Sequence, residues 1–160
     1  MAIIYSLYFK CEMEGITSIK PFSHIVNTQI KCTSCGHVHD GICIDYHTAI
    51  ESKRGRGTFN LVMKCKDCKR DMTAVLMNLP SIEYTEENGS DFAKLVGIKT
   101  TGCEITGFVL EKFTGISEGG APIDEIIIDE DGSFADYIDA TDETVSIMEY
   151  DTKIEFTRSK

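Results

Sequence analysis

The sequence predicts an all-β protein, and three observations carry that expectation. Near the start, Tyr5, Leu7, Phe9, Cys11 and Met13 alternate with Ser6, Tyr8, Lys10, Glu12 and Glu14. This is the period of two that puts one face of a strand against a core and the other toward water. Further strand-like runs, rich in β-branched and aromatic residues, recur along the chain between clusters of turn residues. No segment keeps apolar residues on the 3.6 period of a long helix.

Taken in order, the first strand is the alternating stretch 5–13. Runs 24–32, 42–47, 58–65 and 72–79 follow, then 95–110, 123–129 and 144–157. The joints are "SKRGRG", "PSIEYTEENGSD", "SEGGAP" and "DEDGS", all dense in Gly, Pro, Ser or charge. Segment 134–140 is expected to form one helical turn. Phe9-Lys10 and Ile16-Thr17 match Ile98-Lys99 and Ile105-Thr106 at an offset of 89 residues. Two arrangements accommodate this: two similar β lobes near 1–80 and 81–160, together one compact unit, or a single irregular sandwich.

The chain's 160 residues suffice for one domain or two small lobes sharing a core. With 42% hydrophobic and 26% charged residues, the composition is that of a globular protein, not a disordered one. Apolar runs such as that inside "EIIIDE" are no longer than a strand. The N-terminal "MAIIYSLYFKCEMEG" lacks a basic region and a small-residue cleavage site, so the expected location is the cytoplasm or nucleus, without secretion. Seven cysteines, an odd number, argue against a disulfide scaffold. Asn88-Gly89-Ser90 then reads as a polar turn and not as a glycosylation acceptor. Charge is neutral over 1–30, +4 over 31–70 and −14 over 71–160. So acidic a surface repels nucleic acid and anionic membrane.

The basic segment carries the chemistry. Cys32 and Cys35 are separated by two residues, as are Cys65 and Cys68, with 29 residues between the pairs. A Cys-x-x-Cys turn places two sulfurs on one side of a tight loop, and two such turns supply the four corners of a tetrahedral thiolate zinc site, as in a zinc ribbon. The intervening residues suffice for two strands that go out and return. Gly36 follows Cys35, where backbone of positive φ lets N–H groups face sulfur; Lys69 occupies the matching place after Cys68. Zn²⁺ with four thiolates leaves a net −2, which Lys31, Lys64, Lys66, Lys69 and Arg70 would offset.

Other chemistries are weaker. A redox pair needs its cysteine turn to open a helix in a βαβ unit, and neither pair has that setting. His37 and His39 flank the first pair as surface or supporting residues, while His24 and His47 read as ordinary strand residues. Four cysteines close the metal shell against the water a catalytic zinc needs, so Asp67 and Asp71 read as solvated acids. Cys11, Cys43 and Cys103 read as small buried hydrophobes, or alternatively as a thiol set that lends or receives metal. "KRGRGTF", 53–59, is neither a P-loop nor a dinucleotide fingerprint. It is a turn between strands unless Arg54 and Arg56 grip an anion. "IDEIIIDEDGSFADYIDATDE" lacks the order of ligands in a calcium loop and reads as a solvated face.

The succession "KCTSCG", "KRGRGTFNLVMKCKDC" and "DYIDATDETVSIMEYDTKIEF" resembles the eukaryotic CXXC-motif-containing zinc-binding protein family, for which no molecular function is established. The likeness spans essentially the whole chain. It implies an all-β fold of two similar β-sandwich-like lobes related by a pseudo-twofold, with zinc-ribbon-like knuckles in the first. It also implies one zinc per chain on Cys32, Cys35, Cys65 and Cys68. Gly55, Arg56 and Gly57 match the family's loop before the second knuckle. Two departures fall near the C-terminus: Thr144 to Ile147 read Thr-Val-Ser-Ile where relatives favour Ser-Val-Gly-Ile, and no tryptophan precedes Asp136-Tyr137. The expected function is that of a non-enzymatic zinc-binding protein serving as an interaction module for a protein partner. The alternative is a metal-handling or thiol-exchange protein with labile zinc. No nucleophile–base set or carboxylate pair marks an enzyme.

Overall fold

The computed structural model describes residues 2–51 and 57–158. Strands account for nearly all regular structure, and no helix among the described residues is long and apolar enough to cross a membrane. The first half holds β1 (Ile3–Glu14), β2 (Ile16–Pro21), β3 (Ile25–Cys32), β4 (Val38–Asp45), β5 (Ile50–Glu51), β6 (Thr58–Phe59), β7 (Leu61–Lys64) and β8 (Asp71–Leu76). The second holds β9 (Tyr84–Thr85), a 3₁₀ turn (Glu86–Asn88), β10 (Ala93–Thr101), β11 (Cys103–Val109), β12 (Phe113–Ser117), β13 (Pro122–Ile126), β14 (Phe134–Ile138) and β15 (Glu143–Arg158).

A six-stranded antiparallel sheet, in the order β14-β15-β1-β10-β8-β7, forms the backbone of the fold. β1 buries the alternating Tyr5, Leu7, Phe9 and Cys11, as its period requires. A three-stranded sheet, β11-β3-β4, and a four-stranded sheet, β13-β12-β2-β9, contribute Val26, Ile30, Ile44, Ile105, Phe113 and Tyr84 to the same hydrophobic cluster. Phe9 meets Tyr84 and Phe113 at ring separations of 5.3 and 5.5 Å. The Tyr84 hydroxyl donates to the carbonyls of Cys11 and Asp91, which ties β9 to β1.

The sheets join at two corners. β1 passes into β2 through Gly15, at φ +76°, and β10 into β11 through Gly102, at φ +82°. A Cβ at Gly15 would lie 2.5 Å from the Thr144 carbonyl oxygen, and one at Gly102 would lie 2.5 Å from that of Asp71. Only glycine allows the strand behind to approach so closely. The run expected to be continuous over 95–110 is therefore two strands.

Segment 134–140, expected as a helical turn, is instead strand β14, with Phe134 opposite Ile147 and Ile138 opposite Glu143. An isolated turn of helix lacks the hydrogen bonds to repay its nucleation, whereas the edge of β15 offers a complete ladder. Each of the three larger sheets combines strands from both sides of residue 80, so the boundary expected there does not separate the sheets.

Candidate metal centre

Two hairpin turns meet at one corner. In the first, between β3 and β4, Cys32 N–H donates to the His37 carbonyl at 2.9 Å and Gly36 N–H to the Cys32 carbonyl at 3.0 Å. In the second, between β7 and β8, Cys65 N–H donates to the Arg70 carbonyl at 2.9 Å and Lys69 N–H to the Cys65 carbonyl at 3.0 Å. The two knuckles thus share one backbone pattern. Gly36 adopts φ +79°, and Lys69 adopts φ +66° without glycine's freedom. The β10–β11 corner holds the turns together: Thr33 N–H donates to the Gly102 carbonyl at 3.1 Å, and Gly102 packs directly on Asp71.

The result is a sulfur cluster. Cys32 Sγ lies 3.6 Å from Cys68 Sγ and Cys35 Sγ lies 3.5 Å from Cys65 Sγ. All four sulfurs fall within 4.8 Å of one another. Zn–S bonds of about 2.3 Å in a tetrahedron set sulfurs about 3.8 Å apart, so the four donors fit zinc. Among the described residues they are the one set of three or more ligand-type side chains close enough to share an ion. The acidic C-terminal segment assembles no such set among the described residues.

Electrostatics point the same way. The Cys32 thiol is lowered to about 7, chiefly by the backbone N–H of Cys35 and then by that of Ser34 against the cost of burial. Cys65 is likewise lowered to about 7 by the N–H groups of Cys68 and Asp67, with help from His39. Cys35 receives the N–H of His37, but desolvation and the three neighbouring sulfurs push it up to about 12. Four touching thiols cannot all ionise alone; a dication at their centre removes the conflict.

His39 is buried beside Cys65, and its Nε2 has no hydrogen-bond partner among the described residues. His37 stays exposed, with its ring 4.6 Å from that of His39. Lys64 pairs with Asp71 at 3.2 Å, and Lys69 Nζ donates to the Lys66 carbonyl at 2.8 Å, so two of the flanking lysines are engaged at the turn itself. Both groups of the ion pair are well exposed, and such a contact contributes little stability.

The remaining cysteines diverge. Cys103 sits opposite Cys32 in the β11–β3 register, a neighbour the spacing alone does not reveal, and burial pushes its thiol up to about 12. Cys11 is buried far from the cluster among Tyr84 and Tyr150, and is also raised to about 12. Cys43, expected to be buried, is exposed on β4, where its side chain faces away from Ile44 and the core. Arg54, Gly55 and Arg56 lie outside the described residues. His24 and His47, read as strand residues, sit just beyond the ends of β3 and β4 with their rings 4.9 Å apart.

The fold and site define an all-β protein with a four-cysteine metal centre. A family model described as "CXXC motif containing zinc binding protein, eukaryotic" matches residues 6–155, and the chain belongs to that family. A CXXC motif containing zinc binding protein of Xenopus laevis is 28% identical over 165 residues, covering 96% of this chain and 98% of the relative. Its Homo sapiens counterpart is 28% identical over 153 residues, covering 90% and 92%. Among solved structures, the crystal structure of C1orf123 superposes with a TM-score of 0.81 at 25% identity, covering 95% of this chain and 98% of that one. A hypothetical protein from Plasmodium falciparum gives the same score at 18% identity over 95% and 99% of the two chains, a likeness of fold alone.

Proposed function

We propose that the protein is non-enzymatic, with one structural zinc per chain in a zinc-ribbon-like Cys₄ centre, and acts as a protein-interaction module in the cytoplasm or nucleus. The observation that supports this is the sulfur set: Cys32, Cys35, Cys65 and Cys68 lie within 4.8 Å of one another, and four thiolates on one zinc would leave a reactant no position. Zinc would order two turns that carry the exposed Lys31, Lys64, Lys66, Lys69 and Arg70, in a chain that is otherwise acidic. A protein partner suits this contrast better than nucleic acid, given the chain's net charge of −10. The test is Cys32→Ser: zinc content by elemental analysis falls below one per chain, the knuckles lose order, and partner capture is lost. Unchanged zinc, folding and capture would overturn the proposal.

A second reading, metal handling through labile zinc, draws support from Cys103 beside Cys32. Chelator competition separates the two, since slow release favours a structural ion and fast release with Cys103-dependent kinetics favours exchange.

The two similar lobes implied by the family we place about an axis between β1 and β10. The supports are the matched corners at Gly15 and Gly102, and the hairpins β14–β15 and β7–β8 flanking the central pair. On this reading the lobes interleave along the chain. Where one lobe has sulfur, the other has Glu143, which accepts from Ser117 Oγ at 2.8 Å, from Gly119 N–H at 2.9 Å and from Thr141 Oγ1. That carboxylate joins the β12–β13 and β14–β15 turns as the metal joins the knuckles.

A further inference from the structure

The β3–β4 hairpin ends in a cysteine knuckle at its tip. Its open end, about 25 Å away along eight residues of strand, brings together two histidines that the sulfur centre does not use. His24 precedes β3 and His47 follows β4, and their rings stand at 90° with centroids 4.9 Å apart. Two imidazoles bound to one tetrahedral zinc, with Zn–N of about 2.0–2.1 Å, place their centroids about 5 Å apart.

The backbone on both sides is already held. Tyr46 N–H donates to the His24 carbonyl at 3.1 Å, and His47 N–H donates to Asp45 Oδ1 at 2.9 Å. Asn60 Nδ2 ties down the carbonyls of Tyr46 and Thr48 at 3.1 and 2.9 Å. His24 Nδ1 is shielded from solvent with no hydrogen-bond partner among the described residues, an unusual state for a ring nitrogen. His47 is exposed, which leaves the place open to solvent. The other close pair, His37 and His39, differs because it lies at the knuckle end of the hairpin, with His39 beside Cys65.

We propose that His24 and His47 form a second divalent-metal site for a borderline cation such as Zn²⁺, with water in the remaining positions. Imidazole nitrogen suits such ions, and two protein ligands with open positions make this an exchangeable site, unlike the closed sulfur centre. The site does not depend on the role proposed for the sulfur centre.

The experiment uses full-length protein holding one equivalent of zinc on its cysteines, titrated with further Zn²⁺ alone by calorimetry, with imidazole nitrogen resonances followed by NMR. A second equivalent is expected, shifting the resonances of His24 and His47. His47→Gln, at an exposed position that leaves the fold intact, lowers the second affinity about tenfold or more because one of two protein ligands is gone, with the first equivalent retained. His24→Gln does the same. Saturation at one equivalent, an undiminished second equivalent in both variants, or its loss in His37→Gln instead would overturn the proposal.

Discussion

Gly102→Ala separates the metal centre from the general fold, because Gly15→Ala provides a matched control. At each corner a Cβ would lie 2.5 Å from a carbonyl oxygen, where real Cβ contacts essentially never fall below 3.0 Å, so the strand behind must retreat by at least 0.5 Å. Left-handed backbone costs an L residue about 1–2 kcal/mol, and overpacking adds about 1–3 kcal/mol. Each alanine is therefore expected to destabilise the zinc-loaded protein by about 2–5 kcal/mol in urea unfolding. Their effects on zinc should differ. The oxygen that the new methyl of Gly102→Ala strikes belongs to Asp71, directly after Arg70, whose carbonyl accepts from Cys65 N–H. The Gly102 carbonyl itself caps Thr33 in the other knuckle. Opening this corner moves the two sulfur pairs apart. If as little as about 1.4 kcal/mol of the strain falls on the centre, zinc affinity measured by chelator competition drops about tenfold. The methyl of Gly15→Ala strikes Thr144 in β15, far from any cysteine ligand, and is expected to leave zinc affinity within about twofold. Equal zinc affinities in the two variants, or a Gly102→Ala protein as stable as the parent, would refute the reasoning.

Three further outcomes are expected. Lys69→Gly relieves left-handed strain of about 1–2 kcal/mol but adds about 0.5–1 kcal/mol of unfolded-state entropy, leaving a gain of about 0.5 kcal/mol that chelator competition would register as zinc bound about twofold more tightly. Stripping the zinc with a chelator should lower the urea midpoint and speed amide exchange, first of all in 32–37 and 65–70, because metal binding and ordering of these turns are coupled. Glu143 is held below the usual carboxylate value of 4.5, first by Thr141 and then by Ser117. A depressed carboxylate adds stability that is present above its unfolded value and vanishes as pH falls through the lower native value. Glu143→Gln should therefore weaken the protein near pH 7 and flatten its loss of stability in acid, read from urea midpoints across about pH 2–7.

The parts of this protein legible without coordinates are those governed by chemistry between near neighbours in the chain. Alternation puts Tyr5, Leu7, Phe9 and Cys11 on one face whatever the fold, because successive side chains of a strand point opposite ways. Two residues between cysteines bring both sulfurs to one side of a turn, so Cys32 with Cys35 and Cys65 with Cys68 declare themselves as pairs. Local signals fail where a partner strand decides. Phe134–Ile138 is a strand because β15 offers it an edge, and the polar β2 is one because Ile16 and Ile19 are buried from a sheet built largely by the second half.

Composition, period and the two cysteine turns thus determined on their own an all-β chain and which four side chains to expect in one cluster. Tertiary structure alone decided that the two knuckles meet at Gly102, that Cys103 stands next to Cys32, that Cys43 faces solvent and that His24 confronts His47. The reason is the range of the forces. Backbone geometry and side-chain direction act over a few residues and leave their mark in spacing, whereas strand pairing joins residues dozens of positions apart through hydrogen bonds that every residue except proline offers alike.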